Sequence, residues 1–193
     1  SQKVMTLDKN GDNFDVVIPS RSLREFTSVF SDDIETVEVF FANNQILFRS
    51  EHISFYTRLL EGNYPDTDRL IPTEFNTEAT FNVANLRFAM ERARLLSNAT
   101  QNGTVKLEFK NGIVSSHVHS PEVGRVNEEI DTSAVSGEDL SISFNPTYLI
   151  EALKAIDSEQ VVIRFISSVR PFTLVPEGNE QGFIQLITPV RTN

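Results

Sequence analysis

An α+β fold built from a repeated β-α-β-β-β unit is what this sequence predicts, with helices packed together inside and antiparallel sheets outside. Two observations carry that expectation. Three stretches align, FDVVIPSRSLREFTSVF, ATFNVANLRFAMERARLL and SISFNPTYLIEALKAI, and the interval from Pro19 to Asn82 equals that from Asn82 to Asn145. Each stretch is followed by short runs of strand-like composition with apolar–polar alternation, the pattern of half-buried strands.

In the first unit, Phe14 to Ile18 reads as a strand and Pro19 as a helix start, because its missing N–H costs little in a first turn. Leu23, Phe26 and Phe30 set the buried stripe of that helix, and Thr27 is its weak member. The strands TVEVFF, QILFRS and HISFYTRL follow, turning at Asn43-Asn44. In the second unit, Ala79 to Phe81 is the leading strand and Asn82 the helix cap, its side-chain oxygen placed to accept from free backbone N–H groups. Leu86, Ala89, Met90 and Ala93 form the stripe, and VKLEFK, GIVSSHVHS and EVGRVNEEID form the strands, with an Asn111-Gly112 hairpin turn between the first two. In the third, Ile142 to Phe144 leads, Asn145 caps and Pro146 takes the first turn. Leu149, Ala152, Leu153 and Ile156 face inward, and QVVIRFI, PFTLV and GFIQLIT are strands, with a turn near Ser167-Ser168.

One amphipathic helix and four short strands cannot bury a two-sided core, so units of this kind are expected in pairs. Residues 73–193 are expected to form a complete two-unit domain, and residues 1–72 half of another. The boundary falls in GNYPDTDRLIPTEF, punctuated by Gly62, Pro65 and Pro72, and TSAVSGED reads as a weaker break.

Composition narrows the function classes. The 193 residues carry 17 Lys+Arg against 27 Asp+Glu, a net charge of -10, which excludes a uniformly basic nucleic-acid coat but not segregated charge. There is no cysteine, hence no disulfide framework, thiol nucleophile or cysteine metal site; that suits a reducing compartment. No apolar run approaches the roughly 18 residues of a membrane span. SQKVMTLDKN lacks the apolar core of a signal peptide and an initiator Met, so the chain is expected to be a fragment or a processed product.

Catalytic constellations are sparse. His117 and His119 alternate onto one face of a strand, with Glu122, Glu128 and Glu129 after them, and a metal-dependent hydrolase is the enzyme alternative. No third ligand stands at a recognisable spacing, however, and no H-E-x-x-H occurs, so the bland reading, two polar residues on a half-exposed strand, is favoured. His52 stands alone beside Glu51, and no G-x-S-x-G, P-loop or dinucleotide fingerprint is present. No cofactor is expected.

Six basic residues lie in the three helices, Arg21, Arg24, Arg87, Arg92, Arg94 and Lys154, while acidic runs such as Asp32-Asp33-Glu35, Glu128-Glu129-Asp131 and Glu138-Asp139 lie elsewhere. If the helices share a face, it is less acidic than the body, or even positive, and suited to sequence-independent phosphate contact, although the residues alone favour ordinary helix surface charge. Tyr64-Pro65, Leu70, Tyr148, Val169 and Ile187-Thr188-Pro189-Val190 supply groups suited to a peptide groove, although their pattern alone favours core positions.

FYTRLLEGNYPDTDRLIP, FAMERARLLSN, ISFNPTYLIEAL and the ending LITPVR resemble, in order, separated motifs of the bacterial DNA polymerase III beta subunit family, the replicative sliding clamps. The likeness runs through essentially the whole chain. It implies the DNA-clamp fold, in which each protomer has three domains of two β-α-β-β-β units. Residues 1–72 then match the second half of the middle domain and residues 73–193 the C-terminal domain. It implies a noncatalytic, cytoplasmic processivity factor for DNA replication. Such a factor forms a homodimeric ring that encloses duplex DNA and tethers the polymerase.

By the same resemblance, Arg21, Arg24, Arg87, Arg92 and Lys154 face DNA, and Leu95 and Leu96 lie at the ring interface. A pocket for polymerase and clamp-loader peptides draws on Pro65, Arg69, Leu70, Asn145, Tyr148, Val169, Pro171, Leu186, Thr188, Pro189, Val190 and Arg191. The family's His-Arg-Leu pocket segment would fall just before Ser1, so an incomplete pocket is expected unless another chain supplies that wall. Thr192-Asn193 extends past the usual P-x-R ending. A peptide-docking fragment without ring closure is the alternative reading.

Overall fold

The structure is a computed structural model that describes residues 1–6, 14–31, 33–62, 64–97, 103–120, 124–178 and 182–191. Asp32, Glu122, Thr192 and Asn193, named above, lie outside the described residues. The chain divides into two units, Leu7–Asp66 and a larger one formed by Ser1–Thr6 with Thr67–Asn193. Among the described residues, no helix is long and apolar enough to cross a membrane.

The larger unit contains strands β1 (Gln2–Lys3), β5 (Thr77–Asn82), β6 (Val105–Lys110), β7 (Ile113–Ser120), β8 (Gly124–Ile130), β9 (Ala134–Gly137), β10 (Leu140–Phe144), β11 (Gln160–Phe165), β12 (Phe172–Pro176) and β13 (Phe183–Ile187). Its helices are α2 (Val83–Ser97) and α3 (Pro146–Lys154), and Asp68–Leu70 is a short 3-10 turn. All pairings are antiparallel, in a six-stranded sheet ordered β1-β13-β12-β11-β5-β9 and a four-stranded sheet ordered β10-β6-β7-β8.

The strand preceding each helix does not join its own unit's sheet. β5 pairs with β11, placing Ala79 opposite Ile163, and β10 pairs with β6, placing Ile142 opposite Leu107. The two repeats therefore complete each other by reciprocal exchange, with α2 packed on α3. The core follows from the expected stripes: Leu86, Ala89, Met90 and Ala93 of α2, Leu149, Ala152 and Leu153 of α3, and Ile156 just past its end are all buried. Aromatic contacts tie one sheet to the other. Phe109 on β6 meets Phe165 on β11 at 4.9 Å between ring centroids, and Phe144 on β10 meets Phe172 on β12 at 5.2 Å. Such pairs add about 0.5–1.5 kcal/mol beyond their burial.

The helix caps form as their residues predict. Asn82 Oδ1 accepts from the Asn85 N–H at 3.0 Å, and Asn145 Oδ1 accepts from the Thr147 N–H at 2.9 Å. Asn111 and Gly112 both take positive φ, 52° and 78°, the left-handed pair that a tight hairpin requires.

The Leu7–Asp66 unit holds helix α1 (Ser20–Val29) and a three-stranded antiparallel sheet, β2 (Glu38–Ala42), β3 (Gln45–Arg49) and β4 (Ser54–Arg58). Phe26 anchors α1, its ring lying 4.6 Å from Phe48 and 6.1 Å from Phe55, and the Ser22 and Thr57 hydroxyls bond at 2.8 Å. Phe30 and Ile46 are this unit's buried apolar residues among those described.

Three expectations are corrected. Residues 14–18 are not a strand; among the described residues their pairing to another segment is one bond, from the Leu60 N–H to the Val17 carbonyl at 2.8 Å. Among the described residues, β2 pairs with β3 alone. Leu23 is 42% exposed rather than buried, because among the described residues of its unit α1 has a sheet on one side and no second helix packed against it. TSAVSGED is not a break, since β9 lies within it and extends the sheet beside β5, register Thr80–Ala134. Its small and polar residues suit a short edge strand with one face exposed.

Candidate functional site

The exposed helix faces come first. Arg21 and Arg24 lie on α1 and are exposed, Arg87 and Arg92 lie on α2, and Lys154 ends α3. Four of these five cations carry a carboxylate partner within the chain. Arg21 Nε sits 3.0 Å from Glu25 Oε1, Arg87 Nε 3.8 Å from Glu91 Oε1, and Lys154 Nζ 2.8 Å from Glu151 Oε1. These are neighbours one helical turn apart, a spacing legible in the sequence but not weighed there. Exposed pairs of this kind hold by about 0–1 kcal/mol, so a phosphate can displace the carboxylate.

Arg92 differs. Its guanidinium grips Glu128 of β8 through two nitrogens, Nε to Oε2 at 3.3 Å and Nη2 to Oε1. The hydrogen bond to Glu128, assisted by its charge and opposed by slight burial, raises the Arg92 pKa above its ordinary value. Arg92 thus ties α2 to the sheet, a partner that no local spacing announces. Among the described residues no ion pair engages Arg24.

At the far end of α2, Leu95 and Leu96 diverge. Leu95 is 71% exposed, while Leu96 packs against the core. Adjacent helix positions are about 100° apart, so the two side chains leave α2 in different directions.

Eleven of the twelve peptide-pocket candidates lie in the larger unit. Arg69 and Leu70 sit on the 3-10 turn, and Leu70 is exposed. Asn145 and Tyr148 belong to the start of α3, Asn145 committed to its cap and Tyr148 60% exposed. Val169 and Pro171 occupy the β11–β12 connection, Val169 exposed, and Leu186 lies on β13 opposite Thr173. Thr188, Pro189, Val190 and Arg191 follow β13, and the Val190 N–H donates to the Ser143 carbonyl at 2.7 Å, which pins this segment beside β10. Pro65 belongs to the Leu7–Asp66 unit, where its neighbour Tyr64 borders a cavity of about 580 Å³.

His117 is built into a hydrogen-bonded face rather than a metal site. Its Nε2 lies 2.9 Å from Ser115 Oγ and 3.3 Å from Glu108 Oε2, and its Nδ1 lies 2.8 Å from Asn127 Oδ1. Among the described residues, no three His, Asp or Glu side chains converge to hold a metal ion.

The duplicated β-α-β-β-β architecture, with strands exchanged between the repeats of the larger unit and cations on the helices, defines a class of α+β scaffold. The family is given by comparison. Residues 68–191 match the model of the DNA polymerase III beta subunit, C-terminal domain, and residues 1–66 that of its central domain. The chain belongs to the DNA polymerase III beta subunit family, with the DNA-clamp fold. It is 79% identical over 193 residues to the Beta sliding clamp of Streptococcus pneumoniae, covering 100% of this chain and 51% of that protein. It is 53% identical to that of Lactococcus lactis over the same share. The crystal structure of the Streptococcus pneumoniae beta chain superimposes with a TM-score of 0.96 at 78% identity, covering 98% of this chain and 50% of that one. The Bacillus subtilis sliding clamp gives 0.93 at 37%, covering 99% and 50%. The chain spans about half the length of the curated relatives it matches.

Proposed function

We propose that this chain is part of a sliding clamp, a noncatalytic cytoplasmic processivity factor whose ring encircles duplex DNA and tethers the replicative polymerase. Identity of 79% along the whole chain to a protein named Beta sliding clamp carries the reading. Residues 1–72 serve as the second half of the middle clamp domain and residues 73–193 as the C-terminal domain. A ring holds DNA by topology, so tight phosphate binding is unnecessary and would impede sliding. That logic accommodates a net charge of -10 on a chain in which six of the 17 Lys+Arg lie in the helices. Arg21, Arg24, Arg87 and Lys154 contact phosphates transiently, each exchanging at most a weak internal partner, while Arg92 contributes through the field it shares with Glu128.

Leu95 serves the ring interface, with Leu96 supporting it from the core side. Polymerase and clamp-loader peptides dock against Leu70, Tyr148, Val169, Pro171, Leu186 and Val190, with Arg69 and Arg191 fixing polar groups and Pro65, Asn145, Thr188 and Pro189 shaping the walls. The test is a chimaera that joins the unmatched part of the Streptococcus pneumoniae protein to this chain, added to its cognate polymerase on a primed circular template. Longer products per binding event are expected, and unchanged product length contradicts the proposal.

A second reading, a peptide-docking fragment without ring closure, is favoured by the exposure of Tyr148, Val169 and Leu70, at 60%, 53% and 59%. Titration of the isolated chain with a polymerase-tail peptide tests it. Affinity that Tyr148→Ala leaves unchanged dismisses the groove.

A further inference from the structure

We propose that the outer face of the β2–β3–β4 sheet, the face turned away from α1, docks an extended peptide segment of a partner protein that carries one large apolar residue between two acidic ones. Strand alternation sorts the side chains. Phe48, Phe55 and Thr57 point toward α1, where Phe26 and Ser22 meet them. Their chain neighbours leave the opposite face and stand in three rungs: Glu38–Arg49–Ser54, Phe40–Leu47–Tyr56 and Ala42–Gln45–Arg58.

The middle rung is apolar across all three strands. Phe40 is 42% exposed and Tyr56 73%, with Leu47 half-buried between them. Together with Ala42 and Gln45 they line a shallow cavity of about 390 Å³. This face is distinct from the one that a second repeat covers. The larger unit, with two repeats, shows what a completed pair leaves outside. Counted from the hairpin turn, its matching rung is Glu108–Ser115–Glu129, opposite the face of buried Leu107, Phe109 and Val114. That rung is polar throughout, as a water-facing sheet surface requires. Phe40, Leu47 and Tyr56 put two aromatic rings and an isobutyl group in the same three places, the mark of a surface that meets another molecule.

Charge selects the occupant. The Arg49 guanidinium lies over the Phe40 ring, 4.6 Å from its centroid, and shares Glu38 at 2.8 Å. On the other side of the apolar rung, no ion pair engages Arg58 among the described residues. Glu38 is the one carboxylate in the three rungs, on a chain with a net charge of -10, so this patch favours carboxylates that the chain as a whole repels. Adjacent rungs are two residues apart, about 6.8 Å along a strand. An extended segment with its apolar side chain on the middle rung therefore sets the residues two before and two after it over the Arg58 and Arg49 rungs. Acidic residues there give the pattern acidic-x-apolar-x-acidic. A nucleic acid fits less well, because one free cation and a second shared with Glu38 do not match a run of phosphates.

The probe is the fluorophore-labelled peptide acetyl-Ser-Glu-Ser-Phe-Ser-Glu-Ser-amide, titrated against the 193-residue chain and against the chimaera. Saturable binding to both is expected, weakened at least about tenfold by Tyr56→Ser, by Arg58→Glu, or by lysine in place of both peptide glutamates. Tyr56 and Arg58 are exposed, so urea midpoints close to that of the unaltered chain should accompany these losses. Tyr56→Ser should leave binding of a polymerase-tail peptide unchanged, which separates this surface from the pocket around Tyr148. Absence of saturable binding overturns the inference, as does binding that both variants leave intact or that the chimaera lacks. Capture of a single-stranded oligothymidylate in place of the peptide, or self-association that Tyr56→Ser abolishes, gives the face to another occupant and overturns it equally.

Discussion

The Val190 N–H donates to the Ser143 carbonyl at 2.7 Å, and the same bond recurs from Ser133 to Thr80 at 2.9 Å and from Leu60 to Val17 at 2.8 Å. In each repeat the residue two before the helix cap position receives the segment that leaves the last strand. This bond belongs to the repeat rather than to any one site, and it fixes the path of a segment assigned above to peptide docking.

Val190→Pro should therefore destabilise the larger unit by about 0.5–1.5 kcal/mol, because it removes the donor of the bond that holds this segment beside β10. Val190→Ala keeps the donor and should leave the urea midpoint nearly unchanged while weakening peptide binding. Paired urea melts and peptide titrations separate the two effects.

Gly137 takes φ +100°, and a Cβ there would lie 1.9 Å from the Asn76 carbonyl oxygen. The atoms it would meet, in Asn76 and Thr77, are backbone and cannot swing aside, so Gly137→Ala should cost about 2–4 kcal/mol and release β9 from β5. Faster amide exchange at Ala134–Gly137 is the expected signature, read against unchanged exchange in β7.

Phe165 touches Phe109 and Phe172 and is fully buried between the sheets. Phe165→Ala should cost about 3–5 kcal/mol. Denaturant unfolding measures it directly.

Arg92 and Glu128 are expected to couple by about 0.2–1 kcal/mol in a double-mutant cycle, the range of partly exposed pairs. The raised pKa of Arg92 lies beyond the working range, and a raised folded pKa gives stability that is present below the unfolded value and lost only as pH climbs through the folded one. Its contribution should thus be constant across neutral pH and fall with added salt.

The repeat was legible because spacing, caps and apolar stripes all coincide: Asn82 and Asn145 cap as expected, and every stripe residue of α2 and α3 is buried. The first repeat was read less well, since a leading strand exists only where a partner sheet accepts it, and residues 14–18 have none within the unit. β9 was missed because four residues of small and polar character carry little periodicity. On the candidate surfaces, Arg21–Glu25 and Arg87–Glu91 were readable from spacing, but Arg92–Glu128 joins residues far apart in sequence and required the fold. Resemblance named Leu95 and Leu96 together, and only the helix phase separates the exposed residue from the half-buried one.

Retention on DNA tests the clamp reading most directly. The chimaera carrying this chain should be loaded onto nicked circular DNA, the circle opened by a restriction enzyme, and bound protein followed in high salt. The account predicts long residence on the circle and rapid loss once ends are created. Equal residence on the circular and linear forms would contradict it.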